Sequence, residues 1–101
     1  MTHKVLFICH GNICRSTMAE SVFTYLVNQR GLSDYFEIDS AATSREEIGN
    51  PPHYGTVTKL RQVGIPVVPH RARQMTKDHY EYYDYIVMNS KYIRNANNYF
   101  K

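Results

Sequence analysis

Val5-Leu6-Phe7-Ile8, followed at once by Cys9-His10-Gly11-Asn12-Ile13-Cys14-Arg15-Ser16, is the stretch of the chain that decides the fold. The first four residues are a continuous apolar run of strand formers, which is typical of a strand buried on both faces. A loop of small and polar residues follows, and apolar residues at helical spacing begin at Met18. The segment therefore predicts a strand, a loop and a helix, with the loop leading into the helix N-terminus.

The rest of the chain continues to alternate strands with helices. Thr17 and Glu20 have the spacing of a capping box for the first helix, which we expect to end at Gly31. The later predicted elements are a strand over 36–41, a helix from Tyr54 to Val63 ended by Gly64, a short helix capped by Thr76, a strand over 85–88 and a helix from Lys91 onward. This alternation predicts an α/β fold, three-layered (αβα), with a parallel sheet of order 2-1-3.

Composition narrows the class of protein. The 101 residues predict a single domain over 1–101, and 43% hydrophobic with 21% charged residues is ordinary for a globular chain. The formal charge of +3 mildly favours an anionic substrate, and the scattered basic residues do not predict a nucleic-acid partner. With two cysteines, no signal-peptide pattern and no membrane-length apolar run, we expect a cytoplasmic protein without a membrane partner.

Cys9 is the candidate nucleophile. A free thiol has a pKa of about 8.5, so a cysteine that attacks at neutral pH needs an environment that stabilises its thiolate. At the end of a strand and facing a helix N-terminus, the Cys9 sulfur would be surrounded by backbone N–H groups. The same groups could hold the oxygens of a phosphoryl group, and Gly11 would allow the loop to curl tightly around that anion.

Arg15 and Ser16 complete the predicted chemistry. The planar guanidinium of Arg15, six residues after Cys9, can bind two phosphoryl oxygens at once. Ser16 can hydrogen-bond the sulfur and help it to leave in a second step. Because the loop and the arginine supply the positive charge, we expect no metal and no organic cofactor.

These residues resemble the low-molecular-weight protein tyrosine phosphatase family, whose signature is C-x5-R-S directly after the first strand. The resemblance covers nearly the whole chain and includes Asp39-Ser40-Ala41-Ala42-Thr43, Gly49-Asn50-Pro51, His70-Arg71-Ala72-Arg73-Gln74 and Tyr85-Ile86-Val87-Met88. It implies a flavodoxin-like arrangement with the site at the carboxyl ends of the strands. It also implies hydrolysis of phosphotyrosine-type or small aryl phosphomonoesters through a phosphocysteine intermediate.

The resemblance further implies a role for individual residues. Cys9 and Arg15 would be catalytic, and the phosphate-binding residues would be His10, Gly11, Asn12, Ile13, Cys14, Arg15 and Ser16. Asn12 would hold the loop through bonds to Ser40 and His70, while Glu20 would pair with His70 and raise the histidine pKa. Cys14 would form a reversible disulfide with Cys9 under peroxide.

One family element is missing from these 101 residues. The family's general acid is an aspartate in an Asp-Pro-aromatic loop, and the sequence contains no Asp-Pro. We therefore expect a domain truncated at its C-terminus, impaired in protonating the leaving group, with a fourth strand beyond the chain end. The third strand would then be a bare edge through which a dimer could form.

Two other functions stay open on the sequence. A phosphate-binding module with little or no turnover would fit the missing general acid. An arsenate reductase on the same scaffold is less favoured, because no cysteine follows Cys14 to relay the oxidation. Among the phosphatase substrates, phosphotyrosine, phosphoarginine and small aryl phosphates are not distinguished.

Overall fold

A computed structural model describes residues 2–88 and 91–93 of the chain, with side chains described for residues 2–88. The strands are β1 (His3–Cys9), β2 (Phe36–Ala42), β3 (Tyr85–Met88) and β4 (Lys91–Ile93). The helices are α1 (Arg15–Gln29), α2 (Tyr54–Gln62) and α3 (Lys77–Tyr82), with a single 3₁₀ turn at Ser33–Tyr35 before β2. The predicted strands and the three predicted helices before residue 85 are therefore present, with boundaries shifted by one or two residues.

The four strands form one sheet in the order β2-β1-β3-β4. Strand β1 is central and runs parallel to both neighbours, with Cys9 opposite Ala42 of β2 and Ile8 opposite Met88 of β3. This confirms the predicted α/β class and the parallel order 2-1-3. Because parallel strands end at the same edge of the sheet, the ends of β1 and β2 and the loops that follow them meet there.

Strand β4 corrects two expectations about the end of the chain. Residues Lys91–Ile93 form a strand, so the helix predicted from Lys91 is wrong for these residues. They pair antiparallel with β3, Met88 lying opposite Lys91 and Ile86 opposite Ile93. The β3 edge is therefore already paired over these residues, so it is not free to pair with a second copy of the chain in the way that the predicted dimer requires.

The two faces of the sheet pack against different elements because side chains alternate along a strand. Leu6, Ile8 and Ile86 are buried together with Tyr83 and Ala41, on the face where Tyr80 of α3 also packs. Phe7 points to the opposite face and meets Phe23 of α1 edge-on, with ring centroids 5.7 Å apart. Helix α1 thus covers the other side of β1 and brings its N-terminus to Cys9.

The N-terminus of α1 differs from the prediction. The helix begins at Arg15, two residues before Thr17, and Cys14 occupies the N-cap position without a side-chain cap. The Thr17 hydroxyl donates to the Cys14 carbonyl at 3.0 Å, so the capping box predicted for Thr17 and Glu20 is wrong. The first N–H groups of the helix are consequently left for other acceptors. At α3, by contrast, Thr76 is the N-cap and forms a capping box with His79, as its position indicated.

Across the described ranges, no helix combines the length and the apolar character needed to cross a bilayer. The single domain over residues 1–101 stays a prediction.

We expect Leu6→Ala to lower the free energy of unfolding by about 2–5 kcal/mol, because it leaves a cavity at a fully buried position in the centre of the sheet. Leu26→Ala is the matched control, since Leu26 is 44% exposed and its truncation should change stability by only about 0.5 kcal/mol. Urea denaturation of both variants measures the difference. Equal losses would show that the core does not lie where the structure places it.

Candidate active site

The Cys9 sulfur is held by hydrogen-bonding groups from the loop that follows it. Cys9 is 3% exposed at the end of β1. Its Sγ lies 3.1 Å from the Ser16 hydroxyl oxygen and accepts the backbone N–H of Asn12 at 3.3 Å. Because Ser16 Oγ already accepts from Asn12 Nδ2 at 2.8 Å, its own hydrogen is free to point at the sulfur.

This arrangement stabilises the thiolate. Burial raises the pKa of Cys9, but the hydrogen bond from the Ser16 side chain and those from the backbone N–H groups of Ser16, Asn12 and Gly11 outweigh it. The net effect is a pKa below the ordinary value of the thiol. The two Ser16 donors belong to the first turn of α1, which has no side-chain cap to compete for its N–H groups, whereas Gly11 and Asn12 belong to the preceding loop.

Asn12 gives the loop its shape. Among the described residues it is the only non-glycine residue with a positive φ, +58°, and its side chain is fully buried. With Nδ2 donating to Ser16, Oδ1 faces the opposite way and accepts from His70 Nε2 at 2.6 Å and from the Arg73 N–H at 3.2 Å. The expected contact with His70 is present, but Asn12 bonds Ser16 and Arg73 where a direct bond to Ser40 was expected.

Gly11 serves a purpose other than backbone freedom. Its φ is not positive, since the left-handed position of the loop is Asn12. A Cβ on Gly11 would lie 3.3 Å from Glu47 Cγ, closer than most such contacts. The glycine therefore allows the neighbouring segment to approach the loop.

Ser40, Glu20 and His70 form a second layer behind the loop. The Ser40 hydroxyl donates to Glu20 Oε1 at 2.6 Å and lies 3.3 Å from His70 Nε2. Glu20 Oε1 is 3.7 Å from His70 Nδ1, and both side chains are less than 10% exposed. The three residues named together from the sequence therefore lie together at the sheet edge, and their role in the site stays a prediction.

The protonation of this layer differs from the expectation. Burial raises the pKa of Glu20 to about 7, the Ser40 hydrogen bond opposes it, and nearby Asp39 adds to it. Burial lowers the pKa of His70, as does the charge of Arg73, against the effect of Asp39. The expectation of a raised histidine pKa is thus wrong, because desolvation and the charge of Arg73 outweigh the attraction of Asp39.

Asp39 and Arg73 also support the loop, and sequence reasoning had not assigned them a role. Arg73 Nη2 lies 2.5 Å from Asp39 Oδ2, and the Arg73 carbonyl accepts from the N–H of Ala42, at the end of β2, at 2.7 Å. The Arg73 N–H that reaches Asn12 is held by this pairing. The sequence indicated only that Asp39 lies next to Ser40 and Arg73 near His70, within two segments that resemble the family. The contact between Asp39 and Arg73 depends on the fold.

Glu20, Asp39 and His70 have the spacing of a metal site, since one ligand atom of each lies within 4.8 Å of the others. Their atoms are engaged within the protein, however. Asp39 is ion-paired with Arg73, Glu20 accepts from Ser40, and His70 donates to Asn12. The expectation that no metal takes part stays a prediction.

Arg15 and Cys14 lie on the exposed side of the loop. Arg15 is the first residue of α1 and is exposed. With Ser16 it lines a cleft of about 360 Å³ between α1 and the sheet; Cys9 does not line this cleft, and its other lining residues are apolar: Phe7, Ile8, Met18, Ala19, Val22 and Val87. Among residues 2–88 the Arg15 side chain has no ion-pair partner, so its donors are available to an anion. Cys14 is an exposed free thiol and Cys9 a buried one.

A family model described as low molecular weight phosphotyrosine protein phosphatase matches residues 4–100 of the chain. The chain belongs to this family. The human protein of that name is 47% identical over 97 residues, covering 95% of this chain and 61% of the human one. The chain therefore spans about six-tenths of the length of that relative.

Solved structures of family members are similar as well. The crystal structure of YfkJ from Bacillus subtilis superposes with a TM-score of 0.84 at 43% identity, covering 87% of this chain and 55% of YfkJ. The crystal structure of DARP, described as a Drosophila arginine phosphatase, gives a TM-score of 0.78 at 34% identity, covering 83% and 52%. Relatives described as acting on two different phosphorylated residues thus share this fold.

We expect Ser16→Ala to raise the pKa of Cys9, because burial would then be opposed only by backbone N–H groups. The pH dependence of Cys9 alkylation measures this pKa, in a Cys14→Ser background so that one thiol reacts. Ser21→Ala is the control, since Ser21 lies on the same helix but accepts from the Val68 N–H. If Ser16→Ala does not change the pH dependence of Cys9 alkylation, the hydrogen bond assigned between Ser16 and Cys9 is contradicted.

Glu20 should make the folded state less stable as the pH rises. Its pKa is about 7 in the folded protein against 4.5 ordinarily, so between these values the folded state holds a proton that the unfolded chain releases. The free energy of unfolding contributed by Glu20 therefore falls from pH 4.5 to 7 and is constant above.

Glu20→Gln keeps the acceptor for Ser40 and removes the titration. Its stability relative to the unsubstituted protein should increase across this pH window, as measured by urea denaturation at several pH values. The His70 contribution, which has the opposite sign because its folded pKa is lowered, is present in both proteins. A stability difference that does not change with pH would rule out the raised pKa.

Proposed function

We propose that this protein is a cysteine-dependent phosphatase that hydrolyses phosphotyrosine-type or small aryl phosphomonoesters. The observation that carries the proposal is the buried Cys9 sulfur, which accepts from Ser16, in the first turn of an uncapped helix, and from the N–H of Asn12 in the loop before it. Such a group combines an anionic nucleophile with donors for phosphoryl oxygens.

In the first step the Cys9 thiolate attacks phosphorus. The new S–P bond forms as the P–O bond to the aryl group breaks, and the electron pair leaves with the aryl oxygen. Arg15 and the N–H groups of residues 10–16 bind the three phosphoryl oxygens, so that charge developing in the transition state meets fixed donors.

In the second step water attacks the phosphocysteine. The O–P bond forms, the S–P bond breaks, and the electron pair returns to sulfur while phosphate leaves. The Ser16 hydroxyl stabilises the departing thiolate through the 3.1 Å contact. Ser40, Glu20, His70, Asp39 and Arg73 act through Asn12, as positioning residues.

Protonation of the leaving group is the weak point of the 101-residue chain. A positioned general acid contributes about 10²–10⁴-fold to the rate. The sequence contains no Asp-Pro pair of the kind that carries this acid in the family. A phosphate-binding module with little turnover is therefore the alternative function; arsenate reductase is disfavoured because no third cysteine is present.

The proposal also includes the cellular location, the substrate and a response to oxidation. It acts in the cytoplasm on a phosphorylated protein or a small phosphomonoester. Under peroxide, the Cys9 thiolate becomes a sulfenic acid, which condenses with the Cys14 thiol to a disulfide and releases water. Reduction by a thiol would restore the nucleophile.

Hydrolysis of a series of aryl phosphates tests the mechanism. We expect the 101-residue protein to hydrolyse esters whose leaving groups are weakly basic. With strongly basic leaving groups, its rate should be lower by about 10²–10⁴-fold than that of an enzyme with a general acid. Cys9→Ser should abolish turnover.

An unchanged rate for Cys9→Ser would refute the assignment of the nucleophile. Vanadate binding without turnover of any ester would instead favour the phosphate-binding module. Failure of both vanadate binding and turnover would remove the whole proposal.

A further inference from the structure

Residues 44–50, which we call the rim segment, are hydrogen-bonded along one side of the phosphate loop, residues 9–16. The Thr43 N–H donates to the Cys9 carbonyl at 3.0 Å just before the segment begins. The Ser44 N–H and hydroxyl both donate to the His10 carbonyl, at 3.1 and 2.8 Å. At its other end the Gly49 N–H donates to Ala72, and the Ala72 N–H to Asn50, at 2.8 and 2.7 Å.

Two carboxylates of the rim segment lie against the loop. Glu46 Oε2 is 3.0 Å from His10 Nε2, and the Glu46 side chain is 69% exposed. The Glu47 side chain packs at Gly11, and its carboxylate accepts from Asn50 Nδ2 at 2.5 Å. Both acids therefore lie beside the second and third residues of the loop in which a phosphoryl group would bind.

The positive groups of this region have other partners. Arg45 Nε donates to Gln74 Oε1 at 3.1 Å, and Arg71 Nη1 donates to the Gly49 carbonyl at 3.1 Å. Arg15 belongs to the phosphate loop itself. Arg45 and Arg71 keep their positive charge but are directed at Gln74 and Gly49, whereas the two rim side chains that contact residues 10 and 11 of the loop are acidic.

We propose that Glu46 and Glu47 select phosphotyrosine substrates in which basic residues flank the phosphotyrosine. This inference rests on the proposed function and names its substrate class. A lysine or arginine next to the phosphotyrosine would bring a positive charge to Glu46 and Glu47. An acidic residue at the same place meets repulsion. Because Glu46 is exposed and Glu47 is only half-buried, solvent screens both carboxylates, and we expect a preference of about fivefold at low salt.

Binding to a Cys9→Ser variant tests this selection without depending on turnover. Two fluorescent phosphotyrosine peptides differ only in carrying lysine and arginine, or aspartate and glutamate, on both sides of the phosphotyrosine, and an unphosphorylated peptide gives the background. We expect the basic phosphopeptide to bind about fivefold more tightly by fluorescence anisotropy, and the ratio to fall as salt is added.

Substitution locates the effect. In the same background, Glu46→Gln combined with Glu47→Gln should bring the ratio close to one while both phosphopeptides still bind. Glu37→Gln is the charge-matched control, because Glu37 lies opposite Lys4 at the other end of the sheet, and it should keep the preference.

The chain's net positive charge alone would favour the acidic peptide. Equal binding, or tighter binding of the acidic peptide, would therefore overturn the inference and leave the proposed function in place. A preference that Glu37→Gln removes as fully as the rim substitutions would also overturn it. If neither phosphopeptide binds better than the unphosphorylated one, the proposed function fails and this inference with it.

Discussion

The left-handed backbone of Asn12 is the constraint on which the rest of the site depends. A non-glycine residue in this conformation costs on the order of 1 kcal/mol or more, so it persists only where its surroundings determine it. Here the side chain is fully buried and bonds Ser16 on one side and His70 and Arg73 on the other. Those bonds turn the loop so that the Asn12 N–H points at the Cys9 sulfur.

Two of the side-chain partners of Asn12, His70 and Arg73, come from a part of the chain about sixty residues away. Arg73 is fixed by its backbone pairing with Ala42 and by its ion pair with Asp39, both at the end of β2. His70 is fixed by its contacts with Ser40 and Glu20. The geometry around the sulfur therefore forms only when β2 is paired with β1, which couples the chemistry of Cys9 to the folding of the sheet.

The start of α1 lacks a stabilising side-chain cap, which leaves its N–H groups available to an anion. A side-chain cap typically contributes about 1 kcal/mol to a helix. The N-cap position here is Cys14, which provides none, and the Thr17 hydroxyl bonds a carbonyl. The Ser16 N–H, which a cap could have occupied, is instead directed at the Cys9 sulfur and, with the loop N–H groups of Gly11 and Asn12, lowers its pKa against the effect of burial. A bound phosphoryl group would use the same donors.

Much of this protein was determined by the sequence itself. The apolar run before Cys9 is local, and so are the periodicity of α1, the glycines that end α1 and α2, and the Thr76 cap, because each depends on neighbouring residues. The spacing of Cys9, Arg15 and Ser16 likewise predicted the candidate site, since one strand, one turn and one helix carry all three. Only the tertiary structure decided that Asn12 bonds Arg73 as well as His70, that Asp39 holds Arg73, and that β4 covers β3. The protonation of Glu20 and His70 was also decided there, because desolvation depends on what the folded chain packs around a group, and the sequence order does not contain that information.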